Sequence, residues 1–445
     1  MQSVVDFELT LRGFSGSYLA EITIDRGADS MSHAGPFEVA FDFVQLQNEL
    51  LVGPEPYGKH LTGMLFAPDG MREALAEARG MASAQRTNLR LRLVLGAGAE
   101  ALHAQHWELL YLPGRDERLC TREDILFSRY LPVGTAALPP APKTALRGLA
   151  AIASPSNAGA FGLAKVEISR EVARARTGMA GMEIDWLPAV EREPCTLDRL
   201  VSRIPGHEVL YLVCHGKMGG DQGWLFLQEE DGQAARISAQ AMVKRLAGTL
   251  SLPRLAVLVM CESAGNDSGD FFGSLAPRLV EVGIPAVIAM QSALTFQSAD
   301  LFLPALFREL QKDGMIDRAV SVARRSIIGR PDEHAPVLFL GLKSGLLWSS
   351  PAPAAVPAQP VGASRSAGGA GHAVDQIKLY QILNSDIFTL EDLENLCFTL
   401  NVDWEQLRGG VKPAKARAMI QFFHSRGRTA ELIEAIRAER PHLEL

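Results

Sequence analysis

The chain is short of cysteine. It has five in 445 residues, Cys120, Cys195, Cys214, Cys261 and Cys397, an odd number with no CxxC spacing. That argues against a disulfide framework and a zinc knuckle, and no metal or cofactor is expected. Long hydrophobic runs are also missing. The apolar stretches at 255–261 and 284–290 are far too short to span a bilayer, so no membrane role is expected. No block of like charge forms a polybasic arm, and a net charge of −7 argues against a nucleic-acid surface. No signal peptide is expected from the first residues. There Val5, Phe7, Leu9 and Leu11 alternate with Asp6, Glu8 and Thr10, the pattern of a half-buried strand. These absences predict a cytoplasmic protein in which a free thiol remains usable.

What is present is ample apolar material, 47% of residues, enough for two or three cores. Residues 349–373 are rich in Pro, Ala, Gly and Ser, carry the single charge Arg365, and read as a flexible tether. A shorter Pro/Ala break at 135–145 ends an N-terminal α+β portion, residues 1–134. Within it, 70–82 reads as a helix. The alternation Leu89, Arg90, Leu91, Arg92, Leu93 predicts a strand with one wet face, and His103 and His106 beside Trp107 read as structural histidines. From 147 to 345 strands and helices alternate, which predicts a mostly parallel sheet sandwiched by helices. Residues 374–445 show only helical periodicity and predict a bundle of about five helices, with Thr389 and Asp392 close to a capping box.

Two apolar, β-branched runs carry the chemistry. EVLYLVCHG ends in His215-Gly216 and LAVLVMCES ends in Cys261. In an open parallel sheet, functional groups gather beyond the carboxyl ends of the strands, so the two runs would deliver an imidazole and a thiol to one crevice. A free thiol has a pKa of roughly 8.5, and a neighbouring imidazole can take its proton and later protonate a leaving amine. Gly216 lets the backbone approach a substrate, and its N–H with that of Cys261 would form an oxyanion hole. Cys214 reads as a core thiol. The expected reaction is acyl transfer to Cys261, with His215 as base and acid.

The ordered set EVLYLVCHG, WLFLQE, LAVLVMCESAG and VEVGIPAVIAM resembles the CHAT family of caspase-like cysteine peptidases, which are related to separases. HWELLYLP (106–113) and FSRYLP (127–132) resemble the segment ahead of that core, so the likeness covers roughly 90–345. The caspase pentapeptide QACxG is absent. The resemblance implies an endopeptidase with His215 and Cys261 as its dyad and Gly216 in the oxyanion role. Separase-like relatives carry an acid after the last parallel strand, where it binds a basic side chain. Here Ala293 and Phe296 stand in that stretch and Asp300 is out of register, which argues against cleavage after Arg or Lys and admits an apolar or small residue. Asp267, Asp270, Gln291 and Ser292 are the candidate pocket residues.

The tail sorts its charge. Acids cluster at Asp375, Asp386, Glu391, Asp392, Glu394, Asp403 and Glu405, and bases at Arg408, Lys412, Lys415, Arg417, Arg426 and Arg428. This resembles the effector-associated, death-fold-like adaptor domains of bacterial immune effectors, and implies docking on a homologous domain of a sensor or partner. The whole reads as a recruited cysteine endopeptidase acting on a protein substrate in bacterial immunity or programmed cell death. The competing reading is a catalytically silent scaffold.

Overall fold

The computed structural model describes residues 4–25, 31–133, 140–143, 146–188, 193–219, 222–259, 269–349, 376–384, 388–400, 402–404, 407, 412–426 and 428–440. The chain divides into two compact units. The larger holds 1–133, 141–246 and 252–349, and the smaller is built mainly from residues after 350.

In the larger unit the N-terminal half begins with β1 (Val4–Phe14), β2 (Ser17–Asp25) and β3 (Met31–Val39). Helices α1 (Phe43–Val52), α2 (Pro54–Leu65) and α3 (Asp69–Ala84) follow, then β4 (Asn88–Leu95) and β5 (Ile125–Tyr130). The expected alternation appears in β1, whose Val5, Phe7, Leu9 and Leu11 are buried. A two-residue β6 (Ala141–Pro142) pairs with β16 (Trp348–Ser349). The alternating half then runs β7 (Arg147–Ile152), α4 (Ile168–Gly178), β8 (Glu183–Leu187), α5 (Leu197–Arg203), β9 (Val209–Val213), β10 (His215–Gly219), β11 (Gln222–Gln228) and β12 (Ala234–Ser238). It finishes with α6 (Ala239–Ala247), β13 (Leu255–Val259), α7 (Gly269–Glu281), β14 (Ala286–Met290), α8 (Phe296–Asp313), α9 (Ile316–Arg325) and β15 (Pro336–Leu340). Ser238 caps α6, its hydroxyl accepting from the Ala241 amide at 3.1 Å.

One 11-stranded sheet joins both halves, in the order β3-β2-β1-β4-β5-β15-β14-β13-β9-β7-β8. The break near 134–147 divides the sequence but not the sheet. The two halves meet where β5 runs parallel to β15, pairing Arg129 with Phe339 and Tyr130 with Leu340. Each half keeps its own apolar cluster, one around Phe7, Leu91 and Trp107 and the other around Tyr211, Val257 and Ile288. Every residue of β9, β13, β14 and β15 is buried, as continuous apolar runs covered on both faces must be. Strands β10, β11 and β12 form a separate antiparallel sheet.

The wet face expected of β4 is dry. Arg90 and Arg92 are 3% and 4% exposed. Arg90 donates to Asp317 at 2.6 Å, Arg92 donates to Asp6 at 2.6 Å, and both reach the Lys343 carbonyl. A strand crossed by later chain can bury arginines on its outer face when carboxylates and carbonyls pair with them, and alternation alone does not reveal the cover.

The smaller unit contributes α10 (Gln376–Asn384), α11 (Leu390–Thr399), α12 (Lys412–Ser425) and α13 (Thr429–Glu439) around Leu383, Leu396, Phe423 and Ile436. Thr389 and Asp392 form a full capping box. The helix expected to start near Val402 falls largely outside the described residues, and Lys415 donates to the Trp404 and Leu407 carbonyls at 2.8 and 2.6 Å. Lys415 is therefore buried, and Arg428 pairs with Glu431 at 2.7 Å, so neither belongs to a free basic face. Asp375, Asp386, Glu405 and Arg408 lie outside the described residues, as does the tether beyond Ser349.

Candidate active site

β9 and β13 are adjacent and parallel, and their last residues, Val213 and Val259, are register partners. β14 runs parallel on the other side of β13, with Leu258 opposite Ala289. His215 and Ser292 thus each follow, by two residues, the ends of strands that finish at one level of the sheet. Val259 is the departure point for Cys261, which lies outside the described residues. Asp267 lies outside them too, and Asp270 is described only by its backbone, in the first turn of α7.

His215 opens β10, opposite Phe226, and Gly216 stands opposite Leu225. The imidazole, expected in a crevice shared with the thiol, is fully buried. The chain after β7 lies over it, and Nε2 donates to the Ala164 carbonyl at 2.8 Å. That bond fixes the tautomer and leaves Nδ1 as the basic nitrogen, without a hydrogen-bond partner among the described residues. Burial pulls the imidazole below its ordinary pKa, with the Ala164 bond opposing, so the ring is neutral near pH 7 and able to accept a proton. Ala164 is a group that sequence reasoning missed. A backbone carbonyl leaves no mark on residue type.

The remaining thiols separate themselves from the chemistry. Cys120, Cys195, Cys214 and Cys397 are free and buried. Burial pushes Cys120 far up and Cys195 and Cys397 to about 12, so these three stay protonated and inert.

Gln291 is buried, and its amide is already spent. Its Oε1 accepts from Arg129 at 2.6 Å and its Nε2 donates to the His103 carbonyl at 3.1 Å. The Ser292 hydroxyl meets His334 Nε2 at 3.3 Å. The carboxylates near this corner are committed as well. Asp300 accepts from Arg174 at 2.7 Å, and Arg170, 4.0 Å from Asp300, stacks over Phe296. Asp332 accepts from the Thr295 amide and the Ser298 hydroxyl, both at 2.7 Å, and Glu333 pairs with Arg118 at 2.5 Å. A cleft of about 400 Å³ between α2 and residues 111–116 lies on the N-terminal half and contains none of these groups.

Residues 55–361 match the CHAT domain. The chain belongs to the CHAT family. Its match begins within α2, well before the segment that the sequence motifs mark, and so takes in much of the N-terminal half. Residues 380–441 match effector-associated domain 7. No curated protein matches the chain. Among solved structures, two of the Saccharomyces cerevisiae separase–securin complex are similar, at 16% and 13% identity with TM-scores of 0.35 and 0.34, each covering 71% of this chain. The chain spans 21% of the length of those matched chains. Among the described residues no helix of this CHAT protein is long and apolar enough to cross a membrane, and no three His, Cys, Asp or Glu side chains form a metal cluster.

Three histidines, His215 and His334 buried and His106 half-buried, give the CHAT unit a pH signature. His106 and His334 stack edge to face with centroids 4.5 Å apart. Burial holds His106 well below its ordinary pKa, lowers His334 to about 4 and also lowers His215. The unfolded chain, near pKa 6.5, binds these protons more readily. Stability from the neutral rings is therefore complete above about pH 6.5 and is lost as pH falls toward 4. The urea midpoint of the larger unit should drop between pH 7.5 and 5.5, with a smaller drop in His334→Gln. Equal wild-type midpoints at the two pH values would contradict the assignment.

Proposed function

We propose that this CHAT protein is a cysteine endopeptidase. The observation that carries the reading is the in-register pair of strand ends Val213 and Val259, which lead within two residues to His215 and Cys261. In the proposed reaction His215 Nδ1 takes the Cys261 proton, the thiolate attacks the scissile carbonyl, and the Gly216 and Cys261 amides hold the oxyanion. Imidazolium then protonates the leaving amine, and water hydrolyses the thioester. The Ala164 carbonyl orients the ring throughout and supports the positive charge that it briefly carries.

The buried state of His215 supports a resting form that must open before substrate enters. Recruitment is the natural trigger. The tail, matched to effector-associated domain 7, would dock on a homologous domain of a sensor or partner, with the exposed acids Glu391 and Glu394 of α11 on offer. Limited proteolysis in bacterial immunity or programmed cell death, inside the cytoplasm, is the setting this reading implies.

Asp300 and Glu333 are each paired with an arginine, Asp332 is held by the Thr295 amide and the Ser298 hydroxyl, and Ser292 follows β14 where a carboxylate would serve a basic substrate. Cleavage after an uncharged, apolar or small residue is the expected specificity. Digestion of a peptide library by the activated protein tests both points. Cuts dominated by Arg or Lys would overturn the specificity. An absence of cuts, together with Cys261 alkylated by iodoacetamide no faster than Cys120 or Cys397, would establish the silent scaffold.

A further inference from the structure

The stretch from β14 to α8 carries Ser292 at the level of the proposed dyad, yet the N-terminal half holds it in place. Gln291, the first residue of that stretch, makes both of its amide hydrogen bonds to that half, to the Arg129 guanidinium at 2.6 Å and the His103 carbonyl at 3.1 Å. Arg129 is itself fixed at four further points. It donates to both Glu108 oxygens, at 3.2 and 2.6 Å, and to the His103 and Gln105 carbonyls, each at 2.9 Å. The Glu108 and Arg129 side chains are 1% and 3% exposed. Charged hydrogen bonds at such burial are short, directional and strong. A second contact follows the same line. Ser292 meets His334, which stacks on His106, the residue between Gln105 and Trp107. Glu333, next to His334, is tied to Arg118 of the N-terminal half.

We propose that Glu108, Arg129 and Gln291 form a positioning relay by which the N-terminal half sets the geometry of the substrate-facing stretch Ser292–Thr295. This rests on the peptidase reading for the word substrate, but the mechanical tie stands apart from it. The relay touches neither the thiol nor the imidazole. It acts on recognition, through the stretch that borders the scissile position. The N-terminal half is then a working part of the peptidase rather than a separate accessory.

Gln291→Met cuts the tie at its most selective point. Arg129 keeps Glu108 and both backbone carbonyls, and the Gln291 amide still donates to the Ala335 carbonyl at 2.8 Å. The N-terminal core therefore has no reason to loosen. Arg129→Lys is the second variant, since an ammonium cannot serve Glu108, Gln291 and two carbonyls together. Hydrogen exchange at 291–295 and 330–335 in the full chain should speed up roughly tenfold in both variants, while 209–213 and the Gln291→Met N-terminal half stay unchanged. Two thiol probes then separate recognition from reactivity. Labelling of Cys261 by a peptidyl acyloxymethyl ketone should fall roughly tenfold, and labelling by iodoacetamide should stay within about twofold of wild type. Unchanged exchange at 291–295 in both variants overturns the relay. A parallel fall with both probes overturns it too, because the variants would then be acting on the dyad or the fold. If the wild type reacts with iodoacetamide but never with the peptidyl probe, the peptidase reading fails, and exchange still decides the tie.

Discussion

Cys261→Ala should abolish the proposed peptide-bond cleavage, a loss of roughly 10⁴-fold or more, and His215→Ala should cost nearly as much. The two losses do not add, because the thiolate and the imidazole act as one unit. Once either is gone, what remains comes from binding and from the oxyanion donors. The expected double variant is therefore about as inactive as either single one. Folding should survive both changes. Removing the buried, neutral imidazole of His215 leaves one unpaired acceptor, the Ala164 carbonyl, at a cost of about 1–3 kcal/mol. Progress curves on a peptide identified from the library, with thermal melts alongside, check both halves of the statement. Cleavage at the wild-type rate by Cys261→Ala would remove the thiol mechanism outright. A His215→Ala protein that works at alkaline pH but not at neutral pH would support the mechanism, because hydroxide can then generate the thiolate that the imidazole no longer makes.

How much of this was legible beforehand depends on what a residue pattern can record. The β-branched runs at 209–213 and 255–259 announced buried parallel strands, and their neighbouring placement followed from the alternation around them. The capping box at Thr389 was equally local and equally readable. The β4 arginines were not, because the chain that buries them returns more than 220 residues later, in Asp317 and Lys343. Nor was the continuity of the sheet through Arg129–Phe339, since the Pro/Ala break at 135–145 mimics a domain boundary. Gln291 and Ser292, expected in the pocket, lie just beyond the end of β14, but periodicity cannot tell an amide facing substrate from one spent on a buried guanidinium. The Ala164 carbonyl and the burial of His215 likewise depend on a loop crossing that no spacing encodes.

The same long-range wiring sets the largest stability effect. Glu108 is a 1% exposed carboxylate between two guanidinium groups, Arg129 at 2.6 Å and Arg324 at 3.6 Å, the latter 2% exposed. Arg324 also donates to the Pro336 carbonyl at 3.1 Å, so the cluster pins β5, β15 and the segment after Gln105 to one another. Glu108→Ala removes the only carboxylate either arginine pairs with among the described residues and leaves two buried positive charges facing each other. Breaking a buried pair by deleting one partner costs about 3–5 kcal/mol, and repulsion between the orphaned arginines pushes this protein toward the upper end. Glu108→Gln keeps the shape and one acceptor oxygen, so its loss should be smaller. The double variant Glu108→Leu with Arg129→Met should recover part of the loss, because it removes the repulsion between the two arginines, although Arg324 is still left without a carboxylate. Urea unfolding of the larger unit measures all three. A Glu108→Ala protein within about 1 kcal/mol of wild type would mean that water reaches the cluster and that the two halves of the sheet are not held together here.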